Sequence, residues 1–149
     1  MKIKKKYPPN YKEILDYFPQ ANKKGIVFTY GDTLYSPTSP NIPKHLLIHE
    51  KTHSKQQKEM GVEKWWEKYF TNKKFRFSQE LEAYQNQYNF IEKKFGRHER
   101  RVLLRQISKD LSGKLNGNLV SLREAKIKII IEERKAVEWI RINVKRKLW

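Results

Sequence analysis

The chain has 149 residues, 38% of them hydrophobic and 13% aromatic, and 33 Lys and Arg against 16 Asp and Glu give it a net charge of +17. That length and apolar content suit one compact domain with its own core and exclude a wholly disordered chain. The lack of cysteine excludes disulfides and thiolate metal ligands, and no run of about 18 apolar residues is present to span a membrane.

The basic excess is not a detachable tail. Residues 1–95 hold 18 basic and 10 acidic residues, and residues 96–149 hold 15 and 6. A field of this sign favours anionic partners: an anionic polymer such as DNA or acidic cell-wall material, or an acidic protein face. No nucleic-acid module signature accompanies it.

In chain order, residues 1–10 read as a flexible basic arm, extended or disordered, because Pro8-Pro9 prevents a helix. Prolines also follow the basic start where a signal peptide would carry its apolar stretch, so no signal peptide is expected. Tyr11 to Phe18 is expected to be a short helix. Residues 26–35 read as a β-hairpin, with Ile26 to Tyr30 going out, Gly31-Asp32 turning and Thr33 to Tyr35 returning. A proline-punctuated loop leads to a helix over about 42–60, with Asn41 as N-cap and Gly61 as stop.

Further helices are expected at about 62–71, with Trp65, Trp66, Tyr69 and Phe70 packed together, and from Ser78 to Gly96, with Leu81, Tyr84, Tyr88 and Ile91 on one stripe. Another covers residues 97–113. After a turn at 114–118, Ser121 and Glu124 form a capping box that opens a last helix through residue 142. The basic helices of 97–149 are expected to pack on the same single domain, 1–149. The fold class is mainly α, α+β in detail: a helical domain with one small β-hairpin ahead of its central helix.

That helix carries the chemistry. His49 and His53 are four residues apart, so both imidazoles face one way and reach one ion. Glu50 follows the first histidine and can take a proton from a water on that ion. This HExxH pattern binds Zn2+ through two histidines and uses the glutamate as general base. In a chain of this composition it arises by chance roughly once in a hundred cases.

The apolar run before Glu50, Leu46 to Ile48, is expected to bury the helix, and the hairpin to supply an edge strand for an extended peptide. For the third ligand, Glu80 and Glu82 lie two residues apart on a helix, so only one can face the site. Glu80 shares the buried stripe with Tyr84 and is chosen, with Glu82 as the alternative. His45 is expected to pack or cap near its helix's N-terminus. His98 reads as a surface residue, and Tyr30 and Tyr35 as core residues with a second possible role as oxyanion donors.

The motifs His49-Glu50-Lys51-Thr52-His53 and Glu80-Leu81-Glu82-Ala83-Tyr84 resemble those of the gluzincin metallopeptidases. That resemblance implies a zincin-like helical domain and Glu80 as third zinc ligand. It also puts Tyr84 where many gluzincins have an Asp holding the first ligand histidine. "GIVFTYGDTLYSP", "IPKHLLIHEKTHSKQQ", "EKWWEKYF", "FRFSQELEAYQNQY" and "ISKDLSGKLNGNLVSLREA" together look like a family of small tailed-bacteriophage proteins with a zinc-peptidase motif. The family block includes Gln56 and Gln57, and Gln56 is placed to hydrogen-bond a ligand or Glu80 unless it is a plain surface amide. Gly113 and the Asn116-Gly117-Asn118 turn either line the cleft or only reverse the chain.

Motif and resemblance together lead to the expectation of a zinc metallopeptidase with Glu50 catalytic and His49, His53 and Glu80 on the metal. It would act in virion or tail assembly or in cell-wall processing, located in the host cytoplasm or the virion. Its expected partners are a virion protein or cell-wall peptide as substrate, other virion proteins, and no membrane. The alternative is a non-catalytic phage structural or assembly protein with a zinc site and a basic surface for DNA or subunit contact.

Overall fold

The computed structural model describes residues 1–39 and 41–131. In order come strand β1 (Lys2–Lys4), helix α1 (Tyr11–Tyr17), a 3-10 turn (Pro19–Asn22), strands β2 (Phe28–Tyr30) and β3 (Thr33–Tyr35), and helices α2 (Lys44–Met60), α3 (Val62–Thr71), α4 (Lys73–Lys94) and α5 (Arg97–Ser112). A 3-10 turn at Lys114–Asn116 leads to a last helix, α6, over 122–131. The protein is mainly α with one small sheet, as its sequence predicts. The expected continuation of α6 through residue 142 lies outside the described residues.

The hairpin forms where expected but is shorter, starting at Phe28. Gly31 takes the first turn position with φ +60°, the conformation a type II′ turn demands and one that glycine adopts without a Cβ clash. The N-terminus differs from expectation: Lys2–Lys4 is no free arm but pairs parallel to β3, giving the sheet order β1-β3-β2. Its charged, exposed residues cover one edge of the sheet, a use of lysine that blunts edge pairing. The opposite edge, β2, faces α2.

Two helix starts also differ. Asn41 does not cap α2; Pro43 is the N-cap residue, in an extended conformation, so the helix opens at Lys44. α4 opens five residues before Ser78, because the Asn72 side chain accepts the Phe75 N–H at 2.9 Å. Arg76, buried in its first turn, then donates to the carbonyls of Tyr69 (2.6 Å) and Leu115 (2.8 Å). Gly61, with φ +93°, lets α2 reverse into α3, and the Ser121–Glu124 box is present, with Glu124 accepting from the Ser121 N–H at 2.7 Å.

The core has two parts. An aromatic cluster joins α1, the hairpin and α3 through Phe18, Phe28, Trp65, Trp66, Tyr69 and Phe70. A largely aliphatic one joins α4, α5 and α6 through Tyr88, Ile91, Leu104, Ile107, Leu111 and Ile129. No helix among the described residues is long and apolar enough to cross a membrane.

Candidate metal centre

α2 packs between β2 and α4, and its buried residues are all polar: His49, Glu50, Thr52, His53, Gln56 and Gln57. The helix is buried as expected, but not through its apolar run, since Leu46 to Ile48 are only half-buried. Three consecutive residues point to three sides of a helix, so they cannot share one face. Residues 49, 53, 56 and 57 can, and they turn inward.

Burying that many polar groups is tolerated only if each finds a partner. Gln57, fully buried, donates to the Thr29 carbonyl at 2.9 Å and accepts from the Gly31 N–H at 2.7 Å. It thereby behaves like one more residue paired to the edge of β2. Ser54 donates to the Gly31 carbonyl at 2.7 Å. On the other side, Asn86 of α4 donates to the Thr52 hydroxyl at 3.1 Å.

At the centre, His49 Nε2 and His53 Nε2 stand 3.0 Å apart. Each is 3.3 Å from one oxygen of the Glu80 carboxylate. Among the described residues these three form the one cluster of potential metal donors, all buried and within 4.8 Å of one another. Ligands about 2.0–2.1 Å from a tetrahedral zinc ion are separated by roughly 3.3 Å. The spacing of the three atoms therefore fits zinc, as does their chemistry of two imidazoles and a carboxylate.

The tautomers agree. Gln56 Nε2 donates to the Gln79 carbonyl (3.1 Å) and to the Glu82 carboxylate (2.8 Å), both pure acceptors. Its Oε1 must therefore be the atom 2.9 Å from His53 Nδ1, which makes Nδ1 the protonated nitrogen. Gln87 does the same for His49, at 3.0 Å, while its Nε2 donates to His45 Nδ1 at 2.8 Å. Both Nε2 lone pairs are thus directed at one point beside Glu80. Two lone pairs 3.0 Å apart repel unless a cation lies between them, a proton or a metal ion.

The same packing sets the charges of the metal-free site. Burial alone would depress the His53 pKa, but the Glu80 charge and hydrogen bond, then Glu50 and Gln56, outweigh it and raise the pKa to about 9. Burial would raise that of Glu80, and His53 and His49 together hold it well below the usual carboxylate range. Burial first and His49 second lower that of His45, in keeping with an imidazole that accepts at Nδ1.

Of the predicted site residues, His49, Glu50, His53 and Glu80 come together and line one cavity of about 590 Å³. Glu82 is exposed and serves Gln56. His45 packs one turn up, edge-on to Phe95. Tyr84 does not hold His49; its ring lies against the imidazole with centroids 4.5 Å apart, and the Nδ1 atom passes on to Gln87 instead. Tyr35 is buried in the aromatic core and Tyr30 packs on it; neither lines the cavity. Gly113 and Asn116 do line it, whereas His98 borders a separate groove.

Three supporting residues go beyond the sequence reading. The Thr29 hydroxyl donates to Glu50 Oε2 at 2.8 Å, Tyr69 donates to Glu80 Oε1 at 2.6 Å, and Gln87 links His49 to His45. The polar repeat at 49, 53, 56 and 57 is the signal for a polar buried face, and α4 offers a matching one in Gln79, Glu80 and Gln87. No protein-family model, curated protein or solved structure matches the chain.

Proposed function

We propose that this chain is a zinc-dependent hydrolase of peptide bonds, with His49, His53 and Glu80 holding the ion and Glu50 as general base. The observation that carries the reading is the triangle of Nε2, Nε2 and carboxylate atoms at 3.0–3.3 Å, with both histidine tautomers fixed from behind by glutamine amides. Bound there, zinc supplies a Lewis acid and brings the pKa of a water molecule down towards neutrality.

The chain's own residues do the rest. Glu50 has one carboxylate oxygen held by Thr29; the other, without a partner among the described residues, would take a proton from the attacking water and deliver it to the departing amine. The Tyr84 hydroxyl has no hydrogen-bond partner among the described residues and lines the cavity. Burial, and then the charges of Glu80, Asp110 and Glu50, push its pKa well up, so it stays a donor and is suited to a carbonyl oxygen that becomes negative.

One feature favours a peptide over another substrate. The β2 edge itself is taken by Gln57, but Ile26, Val27 and Phe28 give the cavity an apolar wall along which an extended chain can lie.

A purely structural zinc centre would close its fourth position with protein. His45, the nearest spare donor, is engaged by Gln87 instead. The test is Glu50→Gln with zinc content and peptide hydrolysis measured together. Zinc should stay stoichiometric while hydrolysis falls by about 10²–10⁴-fold, the usual share of a general base. Undiminished hydrolysis in the variant, or a wild-type protein that takes up no zinc, would refute the reading.

A further inference from the structure

A second groove, of about 480 Å³, runs between α5 and α6, away from the metal centre. His98, Arg101, Val102 and Arg105 line it from α5, at the i, i+3, i+4, i+7 spacing of one helix face, and Leu122 and Lys126 line it from α6. None of its lining residues is acidic. Among the described residues, the acids closest in sequence are committed elsewhere: Glu99 caps α5 at the Gly96 N–H (2.9 Å), Glu124 caps α6 at the Ser121 N–H (2.7 Å), Glu92 pairs with Arg100 (3.9 Å), and Asp110 accepts from Gln106 (3.0 Å) and lines the metal-site cavity. Among the described residues, Arg101, Arg105 and Lys126 have no ion-pair partner.

The groove is not only cationic. Val102 is 55% exposed and Leu122 42% exposed, one on each helix bordering it. Two aliphatic side chains left in water beside three unneutralised cations ask for an occupant with both chemistries. A nucleic acid supplies phosphates but little for Val102 and Leu122, and the groove has no Trp, Tyr or Phe on which a base can stack.

We propose that this groove docks an acidic amphipathic helix from a partner protein, its carboxylates on Arg101, Arg105 and Lys126 and its aliphatic side chains on Val102 and Leu122. From His98 to Arg105 the α5 face covers about 10 Å, two helical turns, so a short segment suffices. Arg rather than Lys predominates on the α5 side, which suits bidentate pairing with carboxylates. The inference is independent of the metal centre and stands whether or not the chain hydrolyses peptides.

Fluorescence anisotropy on the full chain tests it, at about 150 mM salt so that the overall charge is screened beyond about 8 Å. The probes are a labelled Glu/Leu peptide of about four helical turns, a scramble of it that destroys the apolar stripe, and a single-stranded oligonucleotide of equal charge. The amphipathic peptide should bind about tenfold more tightly than the scramble, the worth of roughly 1.4 kcal/mol of aliphatic contact. Arg101→Glu with Arg105→Glu should weaken it at least about tenfold, and Val102→Asn should abolish its advantage over the scramble. Lys23→Glu with Lys24→Glu, an equal charge change at exposed sites outside the groove, should leave it nearly unchanged. Equal binding of peptide and scramble, tighter binding of the oligonucleotide, or equal losses in the two double variants would overturn the proposal.

Discussion

α2 and α3 are joined by a single glycine and bury opposite kinds of face. α3 turns Trp65, Trp66, Tyr69 and Phe70 inward, whereas α2 turns inward two histidines, a glutamate, a threonine and two glutamines. The aromatic face gains stability simply by leaving water, at about 25 cal/mol per Å² of apolar area. The polar face gains little net free energy from its hydrogen bonds, because each replaces one made to water. What it gains is fixed direction: two Nε2 atoms aimed, with the Glu80 carboxylate of α4, at a common point. The contrast assigns stability mainly to α3 and chemistry to α2, and variants can test that division.

The largest effect on folding is expected at Trp65, which is 1% exposed and stacks on Tyr69 at a centroid distance of 4.7 Å. Trp65→Ala should cost about 3–5 kcal/mol, in the range of large-to-small core substitutions, read as a lower denaturation midpoint in urea. A loss under about 1 kcal/mol would mean that the aromatic face is not what holds the fold. Because Trp65 Nε1 also donates to Gln79 Oε1 at 2.8 Å, and its ring lies 5.5 Å from that of His53, the variant should loosen zinc as a secondary effect.

The polar face should show itself next, through pH. Without metal, His53 keeps its proton up to about pH 9, whereas an unfolded histidine releases it near ~6.5. A folded-state pKa that is raised stabilises fully below the unfolded value and loses that contribution as pH climbs through the folded one. The chelator-treated protein should therefore melt at progressively lower temperature between about pH 6.5 and pH 9. At the acid end Glu80, whose pKa is lowered, withdraws its share as pH falls through that depressed value. Zinc competes with the same proton for Nε2, so the zinc-loaded protein should keep its melting temperature across the alkaline window. Calorimetry on both forms checks this, and a flat profile for the metal-free form would break the link between the His–His–Glu cluster and stability.

Gln87 gives a smaller and more specific effect. Gln87→Leu removes the acceptor that fixes His49 with its proton on Nδ1 and leaves His45 without its donor. Outer partners of metal-bound histidines are typically worth about 10–100-fold in affinity, so zinc binding should weaken by that factor in a chelator competition while folding changes little. Gln87→Glu should restore much of the loss, since a carboxylate accepts the same hydrogen bond. An unchanged zinc affinity in Gln87→Leu would show that the amide only fills space.

How much of the fold and the site is legible in the chain depends on distance along it. His49, Glu50 and His53 lie within one helical turn and a fraction, and their spacing carries its own geometry. Glu80 can be preferred over Glu82 because a helix stripe decides which of two near neighbours faces inward, and the structure buries the one and exposes the other. Gln56, three residues from His53, is legible as a support, but the others are not, because each joins residues far apart: Thr29 reaches Glu50 across 21 positions and Gln87 reaches His49 across 38. Asn, Gln and Thr have no periodic signature that names a partner. The same limit hides β1, whose parallel pairing with β3 joins Lys2 to Thr33 and Lys4 to Tyr35. It also hides how α2 comes to be buried, through its polar residues and not through Leu46 to Ile48, because hydrophobicity alone does not say which face of a helix is occupied.

Glu82 supplies the finest discrimination. It is exposed and two residues from Glu80, yet it accepts from Gln56 Nε2 at 2.8 Å, and Gln56 in turn fixes His53 with its proton on Nδ1. Glu82→Ala should therefore weaken zinc by no more than about tenfold, because the Gln79 carbonyl still orients the amide and Glu82 is exposed, so water can take its place as acceptor. Glu80→Ala removes a donor atom itself and should cost far more affinity. Equal losses in the two variants would mean that the carboxylates share the ion. No loss at all in Glu82→Ala would place the whole control of His53 on the buried side of α4.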